Sequence, residues 1–149
     1  MKTPASVANH PIHPMLVGIP IGLWLFSFAC DLIAMARPEG PWPTVALYTL
    51  VGGIVGALLA AVPGFIDMLS LAGRRRKVAL VHMTINLTVV ALYVVNYWLR
   101  THTEGYTSGG IPFLLSLGAV ALLAISGWLG GKLVYELGVA VDGRPYTND

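Results

Sequence analysis

Charge is what this sequence has least of. Of its 149 residues only 11% are Asp, Glu, Lys or Arg, while 56% are hydrophobic. An ordinary soluble domain carries about a quarter charged residues, so the shortage, with a mean hydropathy of +0.72, excludes that class. Cysteine is nearly absent too. Cys30, among Phe26, Phe28 and Ala29, excludes a disulfide framework and a thiolate metal site; it reads as a small packing residue. A net charge of +2 gives no basis for nucleic-acid binding. Nothing resembles a nucleophile triad, a phosphate loop or a dinucleotide motif.

What the chain does have is four long stretches almost free of charge: 15–36, 44–71, 78–99 and 111–135. Each reaches the ~20 residues that cross a hydrocarbon core of about 30 Å. Backbone polar groups in lipid must be satisfied within the segment, so all four are expected to be helices. The connections are short. Arg37 to Pro43 holds three prolines, 74–77 is a basic turn after Gly73, and Thr101 to Gly110 is polar with Pro112 just beyond. Short links favour an antiparallel up-down-up-down bundle. The expected architecture is an all-α four-helix transmembrane bundle, one domain over residues 1–149.

The basic residues set the direction. Lys2, Arg74, Arg75, Arg76, Lys77, Lys132 and Arg144 fall on one side, against Arg37 and Arg100 on the other. By the positive-inside rule both termini are cytoplasmic, in a bacterial inner membrane. Ala34-Met35-Ala36 resembles a small-residue cleavage site. The apolar stretch before it is longer than a signal-peptide core of about 7–15 residues, so the first span is read as retained.

Small residues repeat along the second span as Gly52, Gly56, Ala60, Gly64 and, beside them, Gly53, Ala57, Ala61. Such rows let helix backbones approach closely. Gly18 with Gly22, and Gly127 with Gly131, offer shorter versions, and homo-oligomerisation through one of these faces is a further expectation. Pro20 and Pro63 are expected to kink their spans. Trp24, Trp42, Trp98, Trp128, Tyr97 and Tyr135 read as interfacial anchors.

The candidate site is a polar constellation at one membrane depth. His10-Pro11-Ile12-His13-Pro14 leads into the first span, and His82 lies about one turn inside the third. An ionisable residue within a membrane helix points to function, because stranding it in lipid is costly. Asn86 follows His82 at i+4, with Tyr93 and Tyr97 continuing near the same face. Asp67, Lys132 and Glu136 belong to the same end, whereas His102 reads as a solvated loop residue. Asp67 could pair with an arginine of the following turn, and Lys132 with Glu136. Two neutral imidazoles facing each other across a bundle suit haem iron. His82 with His13 or His10 are the expected metal ligands for haem b, and Arg75 or Lys132 would neutralise propionates. Zinc is the weaker reading, since no Cys or Glu completes a tetrahedral set.

The run from His10 to Gly22 with Asp31 toward the end of that span, and the closing run from Gly127 to Val139, resemble the domain-of-unknown-function 2231 family. That family comprises small bacterial four-span membrane proteins, some fused to Rieske or cytochrome-type domains. The resemblance implies redox work at the membrane, here with a separate redox partner protein. Relatives often place a histidine where this chain has Leu137. The leading expectation is a haem b electron-transfer protein or redox-complex subunit embedded in the lipid bilayer. A non-enzymatic membrane anchor, or a small transporter or proton pathway through Asp67, His82 and Asn86, are the alternatives.

Overall fold

The computed structural model describes residues 3–102 and 108–141; Lys2 and Arg144, counted above for orientation, lie outside them. A small hairpin opens the chain, β1 (Ser6–Val7) paired antiparallel with β2 (His10–Pro11). Its two loop residues, Ala8 and Asn9, both have positive φ, at 49° and 64°, as a tight two-residue hairpin loop requires. Then come α1 (Ile12–Leu16), α2 (Gly18–Ala36), α3 (Trp42–Leu69), α4 (Gly73–His102) and α5 (Gly110–Tyr135). Among the described residues, four segments are long and apolar enough to cross a membrane: Ile12–Ala36, Trp42–Leu69, Gly73–His102 and Gly110–Tyr135. They pack as an all-α four-helix bundle. Their outward faces carry exposed apolar side chains such as Phe26, Leu58, Val94 and Leu114, the surface that lipid rather than water tolerates.

The helices reach beyond the spans read from hydropathy. The basic run 74–77 is the first turn of α4 and not a loop. Gly73 at φ +55° makes the reversal that lets the helix start there, and hydropathy cannot register a helical turn built of arginine. Pro20 lies in the first turn of α2, just after the break at Val17, where a proline costs the helix little. Pro63 lies inside α3.

The bundle is assembled from two hairpins, α2 with α3 and α4 with α5, which each pack more closely internally than against each other. Glycines on α3 explain the first. A methyl group at Gly53 would overlap the Trp24 indole, and one at Gly56 would come within 2.9 Å of Ile19. Trp24 is therefore not an interfacial anchor. It is 2% exposed and centres a core with Leu50, Val89, Tyr93, Ala119 and Leu123. A methyl group added at Gly18, Gly22 or Gly127 would meet nothing within 4 Å, and one at Gly131 would meet only Tyr135 of its own helix. Those short pairs do not pack the bundle.

Candidate functional site: paired histidines between two hairpins

His13 sits in α1, one turn ahead of α2, and its ring lies against α3. Its Nδ1 is 2.8 Å from the Ala60 carbonyl. Gly64, four residues on, has no side chain, and a Cβ there would come within 2.7 Å of the imidazole. His82 is held in the same way by α5. Its Nδ1 is 3.0 Å from both the carbonyl and the hydroxyl of Ser126, and Gly130, again four residues on, leaves the space beside Cε1. The two rings are 6.3 Å apart at their centroids and mutually perpendicular.

The hydrogen bonds assign the protons. The Asn86 amide nitrogen is 2.9 Å from the His82 carbonyl and 3.1 Å from His82 Nε2. A carbonyl only accepts, so this end of the amide is the NH2, and His82 Nε2 must accept from it. His82 is then neutral, with its proton on Nδ1 donated to Ser126. His13 likewise donates from Nδ1 to Ala60, since that partner can only accept. Each imidazole is fixed through Nδ1 by its own hairpin, and in His82 the Asn86 donor marks Nε2 as the basic nitrogen.

The remaining sequence-derived candidates are not gathered around this pair. His10 is exposed on the small hairpin, with Nδ1 2.9 Å from the Ala8 carbonyl. Arg75 donates from Nε to the Leu137 carbonyl at 3.0 Å. Lys132 is 3.5 Å from Glu136 and lies over the Trp128 ring. Asp67 accepts 2.8 Å from the Ala5 backbone N–H instead of pairing with an arginine, so it straps the N-terminal segment across the end of α3. His102 ends α4, exposed and stacked on Trp98.

A second polar centre lies at the far end of the bundle. Arg100 donates from Nη1 to Asp31 Oδ1 at 2.7 Å and from Nη2 to Oδ2 at 2.5 Å. Its Nε donates to Asn96 Oδ1 at 2.7 Å, and the Asn96 amide donates to Pro112 O and Ser116 Oγ, both at 2.8 Å. Asp31 and Asn96 are wholly buried and Arg100 is 2% exposed. Tyr93 stacks on Trp24 at 4.5 Å between the two centres. The polar face of α4 continues from Tyr93 through Asn96 and Arg100, and Tyr97 is 41% exposed. Sequence reasoning missed this centre. Asp31 inside the first span, with Asn96 and Arg100 at the same-side end of the third, was the available signal.

Among the described residues no group of three or more His, Cys, Asp or Glu side chains is placed to hold a metal ion. A protein centre here would therefore offer two nitrogens. No curated protein and no solved structure matches the chain. The model of one family does, over residues 9–143. With four membrane-spanning helices, the chain is an integral membrane protein and belongs to the DUF2231 family of predicted membrane proteins.

Proposed function

We propose that this protein transfers electrons through one metal centre held between His13 and His82, with haem b as the group. The observation that carries the reading is the state of the two rings. Both are fixed through Nδ1 to a backbone carbonyl, which orients an imidazole ligand and raises its basicity. The two rings lie 6.3 Å apart at their centroids, near enough for both to hold one group. A pair of imidazole donors is a set that would hold haem iron.

His13 and His82 would hold the iron, and haem would supply reversible one-electron transfer. The chain's own part is to supply two neutral nitrogens, to orient them from α3 and α5, and to exclude water with the apolar layer of Leu50, Val89 and Leu123. Asn86 holds the His82 Nε2 lone pair and must yield it to a metal. Arg75 and Lys132, at the same end, are the cations that would neutralise propionates, and each would have to leave the partner that it holds here, Leu137 O and Glu136. The apolar layer also separates His82 and Asn86 from Asn96 and Arg100, which argues against a continuous proton pathway. The basic first turn of α4 supports an orientation with this end in the cytoplasm, where a separate redox partner would meet it.

Visible spectroscopy tests the reading. Protein produced with ample haem should show a Soret band that shifts on reduction, and His82→Ala should abolish or alter it while His102→Ala does not. A folded, full-length, colourless protein would overturn the proposal.

A further inference from the structure

Contacts between the two hairpins repeat with a fixed offset. His13 faces His82, Trp24 stacks on Tyr93, and Asp31 pairs with Arg100. The pairs 13/82, 24/93 and 31/100 all share the sequence separation of 69 that divides Asp31 from Arg100. Both members rise together along the chain, so the first and third spans run parallel and in register. The second helices of the hairpins repeat with an offset of 66. His13 donates to Ala60 with Gly64 as its notch, and His82 donates to Ser126 with Gly130 as its notch; 60/126 and 64/130 both differ by 66. Farther along, Ser27 Oγ donates to Ala46 O, and Asn96, 69 positions after Ser27, donates to Pro112 O, 66 after Ala46.

Equivalent residues meeting each other are what a two-fold axis produces. A residue contacts its own counterpart only at the axis that relates the two copies. Three such self-meeting pairs at three depths place the axis along the bundle, between α2 and α4. The halves have diverged in sequence, most visibly where Asp31 meets Arg100, and the shared hydrogen-bond pattern survives that divergence.

We infer that the chain is two copies of one helical-hairpin unit joined in tandem, and that the ligand of the histidine pair sits on the axis relating them. This rests, for the ligand, on the paired-imidazole reading proposed above. A ligand on that axis meets one imidazole from each copy, each oriented through Nδ1 by a carbonyl beside a glycine notch, while Asn86, whose counterpart position is Val17, holds Nε2 of His82 alone. The ligand would therefore be a group that takes one imidazole nitrogen from each copy, as haem iron can. A tetrahedral ion, which needs two further donors, does not suit it. Gly64 and Gly130 are then matched positioning residues, one per copy.

Two measurements on the full chain separate the parts. The first needs no ligand. Exchanging equivalent residues, Ser27→Asn, Asp31→Arg and Leu50→Ser together with Asn96→Ser, Arg100→Asp and Ser116→Leu, moves the guanidinium, its bracing amide and the hydroxyl that the amide meets to the other copy. The sixfold variant is expected to purify as a folded, monodisperse protein, while Asp31→Arg alone is not. A sixfold variant that fails as the single one does overturns the repeat. The second uses haem titration followed by absorption. His13→Ala and His82→Ala should each weaken haem binding by at least about 10-fold, the least that even an outer-shell change brings, with added imidazole restoring both. Full affinity in either variant overturns ligation on the axis. A wild-type protein that takes up no haem overturns the ligand assignment together with the proposed function, and the residue exchange still decides the repeat.

Discussion

Arg100 grips Asp31 with both terminal nitrogens inside the bundle, at 2.7 and 2.5 Å, and neither residue is more than 2% exposed. This fork joins the first span to the third, two helices that are diagonal in the bundle. Removing one partner leaves an unpaired buried charge, which costs about 3–5 kcal/mol. Asp31→Asn and Arg100→Leu should each lower the thermal unfolding midpoint in detergent sharply. The double variant Asp31→Leu with Arg100→Leu should recover much of the loss, because an apolar pair of like volume carries no desolvation penalty. Additive losses in the double variant would mean that the two residues do not act as a pair.

Tyr93 makes the opposite case. Its hydroxyl is buried with no hydrogen-bond partner among the described residues, while its ring stacks on Trp24. An unsatisfied buried hydroxyl costs on the order of 1–3 kcal/mol. Tyr93→Phe should therefore leave stability unchanged or raise it, and Tyr93→Leu, which removes the stack, should lower it. A clear loss in Tyr93→Phe would reveal a partner for the hydroxyl.

The glycines of α3 and α5 should behave differently under one substitution. Gly53→Ala pushes a methyl into the Trp24 indole, and overpacking of this kind costs about 1–3 kcal/mol. Gly127→Ala meets nothing within 4 Å and should be neutral or slightly stabilising, since alanine is the better helix former. Chemical or thermal unfolding of the two variants side by side gives the comparison.

The proton assignment of His82 is open to direct measurement. Nitrogen-15 NMR of the imidazole should report a neutral ring protonated at Nδ1. Asn86→Leu should change the Nε2 resonance, because it removes the donor 3.1 Å away, and leave the Nδ1 contact to Ser126 in place. A ring protonated at Nε2 in the wild-type protein would contradict the hydrogen-bond pattern.

Much of this was legible in the residues. The four spans, their helical nature and the short links follow from runs of apolar residues and the prolines and glycines between them. His82 stood out because an imidazole in a span is costly, and His13 because it enters the same membrane level. Asn86 followed from i+4 spacing. The helix ends were less legible: the arginines of 74–77 read as a loop, although α4 begins at Gly73. Trp24 read as an anchor because tryptophan favours interfaces, and the notch at Gly53 that receives it is a contact between helices. Asp67 read as an arginine partner, and the Ala5 N–H that it accepts is 62 residues away.

Composition and hydropathy by themselves determine that the chain is a membrane bundle of four helices, because the hydrocarbon core imposes length and backbone satisfaction on any segment within it. Which helix faces meet is a different matter. Outside the polar face of α4 the helices are apolar nearly all round, so periodicity marks few inner faces, and the partners of the buried polar groups are chosen by packing across 16 to 69 positions of chain. Only the tertiary structure decided that His13 meets His82, that Asp31 meets Arg100, and that the two hairpins repeat one pattern. The physical reason is that these pairings depend on glycine notches and carbonyls on neighbouring helices, which no single helix contains.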